Sequence, residues 1–186
     1  MKTTYHINVA GVERDLPLCK LSDDLYIAAF IMFGDVEMTV KSAGELLKKA
    51  PEFDILVTAE SKGIPLVHEM ARQAGRNDYI VARKGPKLYM QNVITVDVNS
   101  ITTAAKQILC IGSKEADMMK GKRVLIVDDV ISTGESLASL EALVNQVGGN
   151  IVGRMSVLAE GDAIDRKDIT YLAPLPLFDG EGNPKL

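Results

Sequence analysis

The chain has 186 residues, 47% of them hydrophobic and 25% charged, with a formal net charge of −4. That size suits one domain with a substantial core, and an acidic balance without a basic stripe argues against a nucleic-acid partner. No apolar run approaches a membrane span, residues 1–11 lack a signal-peptide core, and Cys19 and Cys110 read as apolar residues of a reduced, cytoplasmic protein.

Residues 3–9 and 12–18 alternate as two strands joined at Ala10-Gly11. Residues 25–33 are apolar throughout, and helix and strand both remain open. Val36, Val40, Ala43, Leu47 and Ala50 then repeat at helical spacing behind Gly34-Asp35, and Pro51 ends that helix. Residues 54–59 form a short buried strand running into Glu60-Ser61-Lys62-Gly63. A helix follows over 64–74, with Pro65 in its first turn and Gly75 closing it. Residues 79–82 are a strand that ends at Arg83-Lys84-Gly85-Pro86-Lys87.

Residues 85–105 are polar, with scattered β-branched side chains (Val93, Thr95, Val96, Val98). A long excursion of this kind reads as a functional flap. A strand over 107–111 and a turn at Lys120-Gly121-Lys122 come next. After the segment 124–147, Gly148-Gly149 ends a helix and 151–159 forms a further strand. The tail from 161 carries Pro174, Pro176 and Pro184 and is expected to be irregular. Strands alternating with helices over 36–159 predict an α/β fold: a twisted, mostly parallel sheet with helices on both faces. The expectation is a single domain over 1–186, with a core at about 34–160 and a small hood from 1–33 and 161–186.

Residues 124–136, VLIVDDVISTGES, say most about function. Val124 to Val127 suit a buried parallel strand that runs into Asp128 and Asp129. Residues 134–147 suit a helix with Leu137, Leu140, Val144 and Val147 on one face. Ser132, Thr133, Gly134, Glu135 and Ser136 thus join a strand's carboxyl end to a helix's amino end, where open α/β sheets bind ligands. Free N–H groups and hydroxyls there make a phosphate cradle. The plain alternative is a turn in which Ser132 or Thr133 only caps the helix. Two acids beside a phosphate-type turn suit a phosphorylated sugar.

This segment resembles the phosphoribosyl pyrophosphate (PRPP) motif of type I phosphoribosyltransferases. In that family a second loop grips the pyrophosphate, and one of its peptide bonds is often cis without proline. Ala59-Glu60-Ser61-Lys62-Gly63-Ile64 and the strand end Ala82-Arg83-Lys84 are most similar to the adenine and xanthine members, and the resemblance covers about residues 53–160. It implies Asp128 and Asp129 as catalytic carboxylates that also bind PRPP. It implies Ser132, Thr133, Gly134, Glu135 and Ser136 around the sugar phosphate. It implies Ser61, Lys62, Gly63, Arg83, Lys84 and Lys87 around the pyrophosphate. Taken alone, Ser61 could cap a helix, and Lys62 and Lys87 could sit in water. Mg²⁺ is implied as cofactor, held mainly by PRPP oxygens rather than by protein ligands. PRPP and a purine base are the implied partners, in a homodimer.

Two positions depart from the family. Glu135 replaces a frequent glycine, and its carboxylate should point away from a bound phosphate. The flap stretch Ser100-Ile101-Thr102-Thr103-Ala104-Ala105 lacks the glutamate of adenine-specific members, which leaves 6-oxopurines open beside adenine. The base pocket would lie between core and hood. Tyr5, Tyr26, Phe30, Phe33, Tyr171 and Phe178 could stack there or could pack as core, and Glu160 stands just past a strand end. Other chemistries lack their motifs: there is no Gly-x-Gly-x-x-Gly, Walker loop or Gly-x-Ser-x-Gly. The two histidines, His6 and His68, form no metal cluster with other residues. The expected activity is purine salvage. A PRPP-sensing regulator and an orotate-type enzyme are the alternatives.

Overall fold

The computed structural model describes residues 2–98 and 107–185. Strands β1 (Thr4–Val9) and β2 (Val12–Ser22) form an antiparallel hairpin. Its turn residues, Ala10 and Gly11, have φ of 54° and 80°, the paired left-handed geometry of a type I′ hairpin turn. β3 (Leu25–Ala28) resolves the open stretch as strand for its first half and irregular chain thereafter.

Helix α1 (Val36–Lys49) starts where expected: the Asp35 carboxylate accepts the Met38 N–H at 3.0 Å. Its buried face differs from the expected one. Met38, Thr39, Ser42, Ala43 and Leu46 are buried, whereas Val36 is 72% exposed and Val40 37%. Met38, Ser42 and Leu46 make an equally regular stripe two residues along, and burying the longer Met38 and Leu46 removes more apolar surface than burying two valines.

β4 (Ile55–Ala59), α2 (Ile64–Gln73) and β5 (Ile80–Ala82) follow as read from the sequence. Within the excursion at 85–105, β6 (Ile94–Val98) forms and pairs antiparallel with β7 (Gln107–Ile111), the strand expected after it. The stretch Ser100–Ala105, on which the missing glutamate was read, lies outside the described residues. A short helix, α3 (Ser113–Met119), was not anticipated. β8 (Arg123–Ile131) runs through both acids rather than stopping before them. α4 (Glu135–Gln146) and β9 (Asn150–Glu160) complete the expected alternation. The tail is more regular than expected: a 3₁₀ turn (Gly161–Asp165) leads to β10 (Thr170–Leu175), β11 (Leu177–Phe178) and β12 (Pro184–Lys185). β10 joins the central sheet beyond residue 160, and Pro174 is tolerated there because β10 is the sheet's edge.

The central sheet has the order β10-β9-β8-β4-β5 and all its pairings are parallel. Alternate residues of β4 and β8 face opposite layers. Leu56, Leu125 and Val127 pack with Met38, Leu46 and Leu66 of α1 and α2. Ile55, Val57, Val124 and Ile126 pack with Leu137, Leu140 and Val144 of α4, and with Met119 of α3. A second, antiparallel sheet of order β1-β2-β3-β11-β12 draws on both ends of the chain and forms the hood.

The strand order sets the site. From β4 the chain passes through α2 to β5 on one side. From β8 it passes through α4 to β9 on the other. The loops after β4 and β8 therefore diverge at neighbouring strand ends, the topological switch point of a doubly wound sheet.

Candidate active site

β4 and β8 pair from Ile55↔Val124 to Val57↔Ile126, so Glu60–Gly63 and Asp128–Asp129 emerge side by side. β8 continues past the acids, and the two carboxyl groups lie within reach of each other and of Lys62. Asp129 is buried, at 3% exposure. Asp128 is half-buried, and its Oδ1 accepts the N–H of Asp129 at 2.9 Å. Lys62 Nζ stands 3.2 Å from Asp129 Oδ2, an oxygen that is sealed from solvent and has no aligned hydrogen bond. Burial pushes the Asp128 carboxyl well above the usual carboxylate range. The charge of Asp129 adds to that shift, and Lys62 opposes it.

The β4 loop approaches these acids through Gly63. A Cβ there would lie 2.3 Å from Thr58 Oγ1 and 3.1 Å from Asp128 Oδ1, so only glycine fits. The Glu60–Ser61 peptide is cis. Ser61 and Lys62 are exposed, while Gly63 is buried at the start of α2.

A small cleft runs from Asp128 along residues 130–137. Ser132, Thr133 and Ser136 are exposed along it. Gly134 stands at the N-cap of α4 with φ of 83° and has no side chain to cap the helix. Of the two hydroxyls weighed as a cap, Thr133 Oγ1 accepts the Glu135 N–H at a long 3.5 Å. The helix dipole favours an anion at this end. Glu135 is half-buried in the first turn.

The cations after β5 meet the same loop through Glu60. Its carboxylate accepts the Lys84 N–H at 3.0 Å and lies 3.3 Å from the Arg83 guanidinium. The Lys84 hydrogen bond, then the charges of Arg83 and Lys87, hold the Glu60 carboxyl below its usual range. Arg83 also exchanges backbone hydrogen bonds with Cys110, both at 2.8 Å, which ties it to β7. Arg83 Nε is buried without a partner. Lys84 is exposed and Lys87 half-buried.

Three groups carry more than the sequence suggested. Glu60 links the β4 loop to the root of the flap. Glu160, at the end of β9, is half-buried, and burial raises its carboxyl above the usual range against the pull of Lys62. Arg166 reaches the β8 loop: a Cβ on Gly134 would lie 2.5 Å from Arg166 Nη1. The aromatic candidates are mostly engaged in packing. Tyr5 lies 4.9 Å from Phe178 between ring centroids, Phe30 is buried, and Tyr171 donates its hydroxyl to Ile164 O. His68 packs edge-on against Tyr79. Among the described residues, no group of three or more His, Cys, Asp or Glu could hold a metal ion, and no helix is long and apolar enough to cross a membrane.

Residues 39–173 match the model of the phosphoribosyl transferase domain. The adenine phosphoribosyltransferase of Bifidobacterium longum (strain DJO10A) is 32% identical over 148 residues, which cover 76% of this chain and 73% of that protein. The hypoxanthine/guanine phosphoribosyltransferase of Methanosarcina mazei is 33% identical over 109 residues, covering 59% of this chain and 53% of that protein. The crystal structure of the adenine phosphoribosyltransferase from Thermoanaerobacter pseudethanolicus superposes with a TM-score of 0.64 at 20% identity, covering 92% of this chain and 95% of that one.

Proposed function

The chain belongs to the phosphoribosyl transferase domain family, and on that premise we propose that it transfers phosphoribose from PRPP to a purine base, adenine or a 6-oxopurine, releasing pyrophosphate. The observation that carries this reading is the meeting of Lys62, Asp129, Asp128 and Gly63 at the switch point, beside the α4 N-terminus that opens at Gly134. Related proteins of both adenine and hypoxanthine/guanine type support a purine acceptor.

In the proposed reaction a ring nitrogen of the base bonds to the anomeric carbon of PRPP, and the base gives up its imidazole N–H proton to solvent. The C–O bond to pyrophosphate breaks, and its electron pair leaves with the pyrophosphate. Positive charge develops on the ribose ring as that bond stretches. The loop Ser132–Ser136 seats the 5′-phosphate on backbone N–H groups and hydroxyls. Glu135 contributes its N–H, with its carboxylate turned away. Asp128 and Asp129 bind ribose hydroxyls and favour the positive ring. Ser61, Lys62 and Gly63 hold the pyrophosphate, and Arg83, Lys84 and Lys87 neutralise it as it leaves.

Mg²⁺ fits this donor set. Asp129 Oδ2, buried and facing only Lys62 at 3.2 Å, and the adjacent Asp128 are hard oxygen donors that would hold such an ion through water, with PRPP supplying most of its ligands. When bound, the ion would neutralise diphosphate charge. A cytoplasmic homodimer is part of the proposal. Ile31, Phe33, Val36 and Val40 leave apolar surface exposed around α1, as an interface between copies requires.

The test is pyrophosphate release from PRPP and Mg²⁺ in the presence of adenine, hypoxanthine, guanine, xanthine, orotate or uracil. Turnover with one purine is expected. PRPP binding without turnover on any base would replace the enzyme with a PRPP-sensing protein, and turnover with a pyrimidine alone would overturn the purine assignment.

A further inference from the structure

Arg166 has no part in the site as read from the sequence, yet its guanidinium lies against the turn that opens α4. Gly134 leaves exactly one opening there — its missing side chain — and Arg166 Nη1 fills it, since a Cβ would sit 2.5 Å from that nitrogen. The approach is fixed from both ends. The 3₁₀ turn (Gly161–Asp165) before Arg166 is anchored by buried Ala163, and Ile169 lies beyond it. Both belong to the apolar cluster that holds Leu137 and Leu140 of α4. Asp168 takes the other edge of the guanidinium, accepting from Nε at 3.0 Å and from Nη2 at 2.7 Å. Among the described residues Nη1 has no hydrogen-bond acceptor. A row of alternating charges surrounds the group: Arg154 Nε donates to Glu141, Glu141 acts on Arg166, and Arg166 is clamped by Asp168.

A guanidinium held along one edge by a carboxylate presents its remaining donors in a fixed direction. That guanidinium stands beside the turn that opens α4 at Gly134, whose backbone is left-handed.

We propose that Arg166 is a positioning residue of the sugar-phosphate subsite, seating the left-handed turn at Gly134 with a guanidinium that Asp168 holds in place. This rests on the phosphoribosyltransferase reading of the loop. Its effect is confined to the sugar phosphate, because the pyrophosphate loop at residues 60–63 lies across the switch point.

The test measures binding of ribose 5-phosphate and of inorganic pyrophosphate by calorimetry, with thermal melts, for the wild type and for Arg166→Gln, Arg166→Lys and Asp168→Asn. In Arg166→Gln, ribose 5-phosphate affinity should fall about tenfold with pyrophosphate affinity within about twofold of wild type. Arg166→Lys should recover part of that loss because the charge is restored. Asp168→Asn, which keeps the cation but loosens it, should fall between wild type and Arg166→Gln and gives the same reading if Arg166→Gln does not fold. Equal ribose 5-phosphate affinity in all four proteins would overturn the role of Arg166 and leave the proposed function standing. A parallel loss of both ligands, tracking a fall in Tm, would also overturn it, by reducing Arg166 to a fold contact. Failure of the wild type to bind either ligand would remove the functional reading and this inference with it.

Discussion

Asp128 is held in the folded protein at a cost. Its carboxyl titrates well above the usual range because burial and Asp129 disfavour its charge. A carboxyl whose folded pKa is raised subtracts stability once it ionises, so this cost is absent at low pH and grows as pH rises through the folded value. Asp128→Asn keeps an oxygen for the Asp129 N–H and removes the charge. Melts at pH 8 should show a Tm a few degrees above wild type, of order 2–4 °C, with the gap closing at pH 4. Turnover should fall about 10- to 1000-fold in the same variant. A Tm below wild type at pH 8 would show that the ionised acid stabilises the fold. Lys62→Ala acts in the opposite sense: it leaves Asp129 buried without its counter-ion, and should both weaken pyrophosphate binding and destabilise the protein by about 1–3 kcal/mol. An unchanged dissociation constant for pyrophosphate would remove Lys62 from that subsite. These groups were legible in the sequence because residue type and local spacing encode them. Arg166 was not, since its contact with Gly134 joins residues on separate elements and depends on how the 3₁₀ turn packs against α4.

At the scale of elements, capping and alternation were readable while packing direction was not. The Asp35 cap could be placed from Gly34-Asp35, but the buried face of α1 was chosen by the sheet it meets, and a stripe two residues away fits the same period. α3 has seven residues, too few for a periodic signal to stand out. The tail's prolines suggested irregularity, yet Pro174 occupies a sheet edge where its missing N–H matters least. Asp35→Ala removes the cap of α1 and also the acceptor for Arg14, whose Nε donates to it at 2.8 Å. The loss should be at least about 1 kcal/mol in urea unfolding, and a loss near zero would show that Glu37, the other partner of Arg14, suffices. In α2, Glu69 is held at a pKa of about 2 by hydrogen bonds from Arg72 and then Gln73, against burial. A depressed carboxyl pKa adds stability above its ordinary value, and that stability is lost as pH falls toward 2. Unfolding free energies of wild type and Glu69→Gln should therefore converge between about pH 4.5 and 2. Parallel curves across that range would exclude Glu69 as a source of acid sensitivity.

The whole molecule explains why one stretch of sequence was enough to propose a site. In a doubly wound sheet the switch point follows from strand order, and β4, β8 and their loops carry both candidate segments to it. The hood was foreseen only as a region, because its pairing joins segments from opposite ends of the chain. Phe178 pairs with Tyr26, and Lys185 donates to the backbone of Asp24, 161 residues away. That separation has a consequence during synthesis on the ribosome. β1 to β3 emerge first, and β3 then presents an unpaired edge until β11 leaves the exit tunnel. An open edge of this kind recruits other strands, so a stalled nascent chain is the form most exposed to aggregation and to chaperone capture. Pairing at such range also closes slowly. In pulse-labelling hydrogen exchange during refolding, amides of β3 and β11 should gain protection after those of β4 and β8. Protection of the hood first would place its closure at the start of folding instead.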